Sequence, residues 1–383
     1  MSGNMGFLFY KTLYSKFTEQ DWKEIITKDS ASQIELEDET VTHIKNTNST
    51  ILDFAKSQKI PPLFSAPFSL ELTTTYPGLV IGTGYHHQTG VEGEFKIGFY
   101  FDYTTGLPVI PGSSVKGLLR SVFPNRENKN LTNEYKNQRT EYLREKFEEL
   151  KLENGNSIDI DKLELEIFKG IRDKMAKKAT DKYVPMSQRD IFFDAFPIQT
   201  GQDGLFADDF ITPHKENPLK NPVPLKFLKV APGVTFRFNF DLHDGILSKE
   251  VKLKLFLNIL LDMGVGAKTN VGYGQFDGSN IKKLRDDMDK KFAEQKQREE
   301  RAAMTEGERR EAEKAAFIEE IRHYQGQPAK LFDKWKKNPN LNNNKEVAQA
   351  MLQVFKNMPS NPQLKYLARV LEVEKSQLKK EFI

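Results

Sequence analysis

The stretch Gly264-Val265-Gly266-Ala267-Lys268-Thr269-Asn270-Val271-Gly272-Tyr273-Gly274 decides the fold, because an apolar helix leads into it and a short strand leads out of it. Glycine adopts positive φ and lets another backbone approach closely, and free N–H groups in such turns attract anions. Lys268 adds a point charge that suits a phosphate. The two glycine pairs around this lysine favour a phosphate-binding loop, and a tight helix-to-strand connection with glycines used only for packing is the alternative.

The segments around this loop alternate between strand and helix patterns. Apolar residues on nearly every side of 250–263 predict a buried helix, and alternating apolar residues predict strands at 95–103 and 234–240. With inserted segments set aside, the order is strand, helix, strand, strand, helix, strand, predicted at 63–80, 113–122, 190–197, 234–240, 250–263 and just before Phe276. This order is the ferredoxin-like pattern of the α+β class.

Composition shifts divide the chain into four expected parts. Residues 1–62 form an N-terminal helical or mixed segment, and residues 63–280 form the core, with a charged insertion at about 125–185. Residues 281–327 are predicted to be one charged helix, and 328–383 a small basic helical unit, in which Trp335 is expected to be buried. Within the core, the turn formers and lysines of 200–230 indicate a protruding loop or hairpin.

Overall charge and cysteine content narrow the class of protein. The chain has 383 residues and a net charge of only +3, so bulk charge alone would not hold a nucleic acid. Cysteine is absent, which excludes disulfides and cysteine-ligated zinc and fits a cytoplasmic location. We expect a globular chain with no membrane span, no metal site and no cofactor.

A second motif, Ile110-Pro111-Gly112-Ser113-Ser114-Val115-Lys116-Gly117-Leu118-Leu119-Arg120, predicts the start of a helix. Ser113 or Ser114 is expected to cap it, and Lys116 and Arg120 share one face because they are four residues apart. Free N–H groups at a helix start, beside two cations, hold a phosphate well. An ordinary capped helix with a solvated basic face is the alternative.

The polar loop at His86 and His87 offers the clearest candidate for catalysis. A histidine can act as a general base without a metal, and Tyr85 and Lys116 could act together with His86. Adjacent side chains on an extended segment point in opposite directions, so both histidines cannot easily serve one site. A binding role or a structural polar loop is the favoured interpretation.

The two motifs together resemble the RAMP superfamily of CRISPR proteins. The strings IPGSSVKGLLRS and GVGAKTNVGYGQF carry the resemblance, and the second fits a G-φ-G-x5-G-φ-G pattern with Lys268 as its basic residue. The segments at 84–117, 190–197 and 264–274 are most similar to a RAMP subunit of the type III-B, or Cmr, effector complex. The resemblance covers about 63–124 and 186–277. It implies a ferredoxin-like (RRM-like) core, with one or two such units, a helical insertion and a C-terminal helical extension.

The resemblance implies a non-catalytic, RNA-binding role. The expected partners are guide RNA, target RNA and other Cmr subunits, above all the repeated backbone RAMP subunit and the first Cmr subunit. The segment 200–230 would be the thumb that enters the guide–target duplex. Two other functions stay open: a guide-processing endoribonuclease using His86, and a scaffold that binds only proteins. The residues expected to contact RNA are Gly264, Gly266, Lys268, Thr269, Gly272, Tyr273, Gly274, Ser113, Ser114, Lys116, Arg120, His86 and His87.

Overall fold

The computed structural model describes residues 4–27, 36–54, 60, 63–85, 89, 91, 93–212, 224–303, 305–324, 327–355 and 359–380. The chain divides into two compact units, Met1–Arg285 and Asp286–Ile383. No helix within these described ranges is both long and apolar enough to cross a membrane.

In its described residues, the first unit combines eight α-helices with six strands. The helices are α1 (Met5–Tyr10), α2 (Glu19–Thr27), α3 (Asp38–Leu52), α4 (Gly112–Ser121), α5 (Asn133–Glu149), α6 (Ile160–Lys169), α7 (Ala179–Lys182) and α8 (Lys249–Met263). The strands are β1 (Phe68–Thr73), β2 (Ile191–Phe192), β3 (Phe196–Gln199), β4 (Phe206–Ile211), β5 (Leu225–Val230) and β6 (Thr235–Asp241).

An antiparallel sheet lies at the centre of this unit. Strand β6 pairs with β1 on one side, and with β2 and then β3 on the other. The backbone that leaves the glycine loop adds a bridge from Phe276 to Thr74, on the free side of β1. The resulting order, with every neighbour antiparallel, is that of a ferredoxin-like sheet. The predicted fold class is therefore confirmed, and its last strand is reduced to this bridge and its flanking hydrogen bonds.

Alternating apolar residues bring α8 onto one face of this sheet. Phe236, Phe238 and Phe240 on β6 are fully buried, since successive strand residues point to opposite faces. Phe256 of α8 packs against Phe240, with ring centroids 5.5 Å apart. Ser248 caps α8 by accepting a hydrogen bond from the Val251 amide. At its other end the helix stops at Gly264, which has a φ of +65° and donates its amide to the Leu260 carbonyl, and the glycine loop begins there.

The strand predicted at 95–103 is wrong. Only an isolated bridge, from Phe101 to Pro108, forms in this segment. Its alternating aromatics are nevertheless buried: Phe95 stacks on Phe9 of α1, with ring centroids 6.1 Å apart. The hydroxyl of Tyr10 donates to the carbonyl of Phe99, and the amide of Lys96 donates to Lys226 of β5 at 2.8 Å, so separate hydrogen bonds take the place of a regular strand pairing.

Two insertions extend the core. Helices α5, α6 and α7 occupy the charged segment between α4 and β2. Strands β4 and β5 form a separate two-stranded antiparallel sheet between β3 and β6. The segment 213–223 that joins them, with Lys215 and Lys220, lies outside the described residues. The part of 200–230 that is described is thus a hairpin.

The second unit is helical throughout its described part. Helix α9 (Ile281–Ala303) crosses the boundary between the units, and α10 (Glu306–Arg322), α11 (Pro328–Lys337), α12 (Lys345–Val354), α13 (Asn361–Leu371) and α14 (Lys375–Lys380) follow. The single helix predicted at 281–327 is wrong, because Thr305 and Glu308 form a capping box that starts α10. Trp335 is fully buried and donates to the carbonyl of Leu341 at 2.7 Å, which confirms that it belongs to the core.

Candidate nucleic-acid interface

The glycine loop crosses over the segment that follows β1, and three backbone hydrogen bonds hold the crossing. The amide of Val265 donates to Gly274 at 2.9 Å, and the amide of Gly274 donates to Gly78 at 2.8 Å. The amide of Ala267 donates to Val80 at 2.8 Å. The loop is therefore anchored at both ends and in the middle, which fixes the part that faces outward.

Packing accounts for three of the four glycines. A Cβ at Gly274 would lie 1.8 Å from the Val265 carbonyl oxygen, and one at Gly266 would lie 2.4 Å from that of Val80. A Cβ at Gly264 would lie 2.7 Å from the Gly274 carbonyl oxygen. At Gly272 the nearest atom would be 3.4 Å away, although its φ is +96°. Packing thus explains the shape of the loop. It does not explain the charge of Lys268 or the amide groups at the centre of the loop.

Lys268 lies at that centre in an unfavourable backbone conformation. Its φ is +62°, in the left-handed region, and it starts the 3-10 helix Thr269–Val271. Such a conformation is costly for residues other than glycine. Among the described residues, no acceptor is hydrogen-bonded to the amides of Lys268, Thr269 or Asn270. A positive side chain and unused amide donors therefore occur together, which suits an anionic group.

Tyr273 is attached to the β4–β5 hairpin. Its hydroxyl donates to Asp209 at 2.8 Å, and its ring meets Phe227 edge-on with centroids 6.0 Å apart. Burial, and then the hydrogen bond to Asp209, raises the pKa of Tyr273 above its usual value. Lys229 pairs with the same carboxylate at 2.5 Å. Tyr273 thus joins the loop to the hairpin, and its ring is already in contact with Phe227.

The second motif meets the glycine loop in one cleft of about 610 Å³. The cleft is lined by the loop at 82–85, the start of α4 and the first turn of the glycine loop, with Ser113, Ser114 and Gly266 among the lining residues. Both serines are exposed. The structure therefore brings together the two motifs that the sequence separates by about 150 positions.

Neither serine caps α4, contrary to the prediction. Pro111 is the N-cap residue, and Asp194 accepts a hydrogen bond from the Gly112 amide at 2.6 Å. A Cβ at Gly112 would lie 2.2 Å from the Phe192 carbonyl oxygen, so the helix start packs directly on β2. Because Asp194 supplies the acceptor, the hydroxyls of Ser113 and Ser114 are left to face the cleft.

The two cations of this motif lie away from the cleft lining. The ammonium of Lys116 lies over the ring of Phe192, 5.7 Å from its centroid. Arg120 forms an ion pair with Glu164 of the insertion, at 3.1 Å, and Glu164 also accepts from the Asn125 amide at 2.9 Å. Arg120 therefore ties α4 to the insertion, and its charge is largely balanced within the chain.

The remaining candidates for chemistry are placed only in part. His86 and His87 lie outside the described residues. Asp208 and Asp209, which could suggest a metal, each form an ion pair across the hairpin, with Lys226 at 2.6 Å and Lys229 at 2.5 Å. No cluster of three metal-ligating side chains occurs in the part of the chain that the structure describes.

Tyr76 is an exposed residue that the sequence interpretation missed. Its side chain is 84% exposed, and the following Pro77 lies beside Gly272. The amide of Thr75 donates to Gln275 at 3.0 Å, so this turn is fixed to the glycine loop. Tyr76 lies outside both motifs, and in the sequence it is marked only as an aromatic residue next to Pro77 and Gly78.

Comparison with known proteins supports the assignment suggested by the motifs. The protein-family model described as the RAMP superfamily matches residues 71–277, which include both motifs and all of the central sheet except the first three residues of β1. A curated relative, the CRISPR system CMR subunit Cmr6 of Saccharolobus solfataricus, is 29% identical over 195 residues. That match covers 50% of this chain and 52% of the relative, so the chain spans about half the length of the curated relative.

Two solved structures are also similar. A chain in the cryo-EM structure of the type III-B Cmr-beta bound to cognate target RNA is 22% identical, with a TM-score of 0.35, and the match covers 72% of this chain and 86% of that one. The crystal structure of Cmr6 from Pyrococcus furiosus is 22% identical, with a TM-score of 0.32, and the match covers 55% of this chain and 97% of that one.

Proposed function

This chain belongs to the RAMP superfamily, and we propose that it is a non-catalytic, RNA-binding subunit of a type III-B CRISPR (Cmr) interference complex. Its similarity to the Cmr6 subunit of Saccharolobus solfataricus supports this role. In this proposal the chain is the sixth subunit, lies at the head of the complex near the 3′ side of the guide RNA, and acts in antiviral defence in the cytoplasm.

The observation that carries the proposal is the cleft where the two motifs meet. Gly266 lines it together with Ser113 and Ser114, and two positions further along the loop Lys268 joins its charge to amides that have no acceptor among the described residues. Backbone amides, hydroxyls and one ammonium are the donors that phosphate groups accept from. An RNA backbone is therefore the polymer that this row of donors suits best.

Different residues have different roles in this proposal. Lys268, Thr269, Gly266, Ser113 and Ser114 contact the RNA backbone, and His86 and His87 extend the contact from the neighbouring loop. Gly264, Gly274 and Tyr273 hold the loop in shape, because other parts of the chain surround them closely, and Gly272 contributes its positive φ to the turn. Lys116 adds charge beside α4, and Arg120 fixes the position of that helix through Glu164.

The proposed partners are the guide RNA, the target RNA and neighbouring Cmr subunits. The repeated backbone RAMP subunit and the first Cmr subunit are the expected protein contacts. The β4–β5 hairpin, attached to the glycine loop through Tyr273 and Asp209, is the candidate thumb. Because guide pairing would select the target, the chain itself needs only sequence-independent contacts, and the donors in the cleft are of that kind.

The decisive experiment measures RNA in the reconstituted Cmr complex. The double variant Lys268→Ala, Lys116→Ala should retain less guide RNA than the wild type, and the difference should shrink as the salt concentration rises, since a protein with fewer phosphate contacts has a shallower salt dependence. The matched control is Lys45→Ala, Lys129→Ala, which removes two exposed lysines elsewhere in the first unit. Equal RNA retention by both double variants at every salt concentration would refute RNA binding at this cleft.

Catalysis is tested separately. The purified chain, with or without His86→Ala, is incubated with repeat-containing RNA in the absence of divalent metal. We expect no cleavage by either protein. A cut that disappears in His86→Ala would replace the non-catalytic role with guide processing.

A further inference from the structure

A second cavity of about 860 Å³ adjoins the cleft on the side of the N-terminal helix. It is lined by α1, the turn that follows α1, and the segment 99–103. Three rings on its walls are strongly exposed: Phe7 is 60% exposed, Tyr85 is 60% exposed and Tyr103 is 95% exposed. Adjacent exposed aromatics around one cavity mark a binding surface more often than scattered ones do. We call this cavity the aromatic groove.

The aromatic groove is lined mainly by aromatic residues. Seven of its thirteen lining residues are Phe or Tyr, and none of these described residues is Leu, Ile, Val or Met. A groove for an apolar peptide face normally mixes aliphatic and aromatic side chains. Rings alone, with few aliphatic neighbours, are typical of surfaces on which nucleobases stack, since every base has a π face.

The walls of the groove are fixed before any ligand arrives. The side chain of Asn4 accepts from the Phe7 amide at 2.9 Å and donates to the Tyr103 carbonyl at 2.9 Å. A Cβ at Gly6 would lie 2.9 Å from the Cβ of Phe101. The backbone of helix α1 is thus held tightly against the segment 99–103, so little ordering of the backbone would accompany binding.

The groove and the cleft share a wall. Tyr85 and Tyr100 line both cavities, and their rings lie 5.4 Å apart. The hydroxyl oxygen of Tyr10 in α1 lies 3.3 Å from the carbonyl oxygen of Tyr85. A polymer that follows the row of donors in the cleft would therefore reach the groove at this pair of rings. Lys11 also lines the groove, where its charge suits a further phosphate.

We propose that the aromatic groove is a base-binding subsite for single-stranded RNA, which takes unpaired bases of the strand whose backbone lies in the cleft. The proposal rests on the proposed function, because it deepens the RNA contact and names the part of the RNA recognised. The bases stack against Phe7, Tyr85 and Tyr103, and Lys11 meets the phosphate between them. The contact is indifferent to sequence, since stacking does not read base edges.

The test uses the full chain and a fluorescent single-stranded RNA of mixed sequence, titrated at low salt. Phe7→Leu and Tyr103→Ala should each lower the affinity about fivefold or more, because one stacking ring is lost. Phe7→Trp should keep the wild-type affinity, since it keeps a ring. Met175→Ala is the matched control, because Met175 is 88% exposed in the helical insertion, apart from both cavities. Thermal unfolding confirms that each variant folds.

The outcomes separate this proposal from the proposed function. If Phe7→Leu and Tyr103→Ala bind RNA as the wild type does while Lys268→Asn does not, the groove is not a base site and the RNA-binding role stands. If Lys268→Asn also has no effect, both fall. Subunit content of the reconstituted complex gives the third readout: loss of a neighbouring subunit with unchanged RNA affinity would identify a protein-docking groove and overturn the proposal.

Discussion

Replacing Lys268 by asparagine separates the contribution of this residue to stability from its contribution to binding. Lys268 has a φ of +62°, and this left-handed backbone conformation destabilises the folded state by about 1 kcal/mol. Asparagine tolerates that conformation better. We therefore expect Lys268→Asn to leave the free energy of unfolding unchanged, or to raise it by about 0.5–1 kcal/mol.

The same change should weaken RNA binding. The loop would lose a charge-assisted hydrogen bond to phosphate, which contributes about 1.5 kcal/mol at the lower end of the usual range. The lower end applies because Lys268 is only partly buried, so water screens part of the interaction. The loss corresponds to roughly a tenfold rise in Kd. The slope of log K against log salt should become shallower by about 0.7, the value for one phosphate on a single strand.

Two measurements on the same protein preparation test this reasoning. Urea unfolding followed by tryptophan and far-UV signals gives the stability, and fluorescence anisotropy with single-stranded RNA at several salt concentrations gives the affinity and its slope. Lys129→Asn is the control, because Lys129 is an exposed lysine in another turn of the first unit. An unchanged slope in Lys268→Asn would refute the phosphate contact, and a loss of stability above 1 kcal/mol would refute the argument from backbone strain.

Four further substitutions test how the first unit is built. Gly274→Ala should abolish folding, because its Cβ would lie 1.8 Å from a carbonyl oxygen, whereas Gly272→Ala should cost only about 1 kcal/mol by urea unfolding, since its nearest neighbour is 3.4 Å away. Tyr273→Phe should cost about 1.5 kcal/mol at neutral pH through its lost bond to Asp209. Burial raises the pKa of Asp209, but bonds from Lys229, the Phe210 amide and Tyr273 outweigh it and lower that pKa. Urea unfolding between pH 7 and pH 2 measures the loss of unfolding free energy in Tyr273→Phe. This loss should have its largest value above about pH 4, and it should disappear as the pH falls through the lowered pKa of Asp209. Lys252→Met should cost about 3–5 kcal/mol by urea unfolding, because it leaves Asp190 charged and buried without its partner at 2.7 Å; a cost below 1 kcal/mol would contradict this.

The sequence predicted the sheet because alternating apolar residues report which face of a strand is buried. That signal is strong in β6, where Phe236, Phe238 and Phe240 alternate. The same signal misled at 95–101, whose alternating aromatics are buried between α1 and β4 without a pairing strand. Alternation reports burial alone, and the hydrogen-bond partner of a segment is decided by residues distant in the chain.

Only the parts of the candidate site that depend on local sequence motifs could be predicted. The glycine loop and the start of α4 were found because their residue types need particular backbone shapes. The cap on α4 was missed because Asp194 is 82 positions from Gly112, and the contact between Tyr273 and Asp209 spans 64 positions. The capping box at Thr305 and Glu308 consists of residues close together in the sequence, so it can be recognised from the sequence alone. It indicates that a new helix starts there, inside the region predicted as one helix.

Charge distribution sets how this chain would hold RNA. Residues 1–280 have a net charge of −3, and several cations near the proposed site are paired within the chain, as Arg120 is with Glu164 and Lys229 with Asp209. Few phosphates are then neutralised by ammonium groups, so the salt dependence of the isolated chain should be shallow compared with that of a basic RNA-binding protein. Amide donors and stacked rings, which depend less on salt, would carry more of the affinity. Because both depend on a loop and a groove that are ordered beforehand, the anchoring by Gly274, Asn4 and Tyr273 would contribute to the proposed RNA recognition as much as Lys268 would.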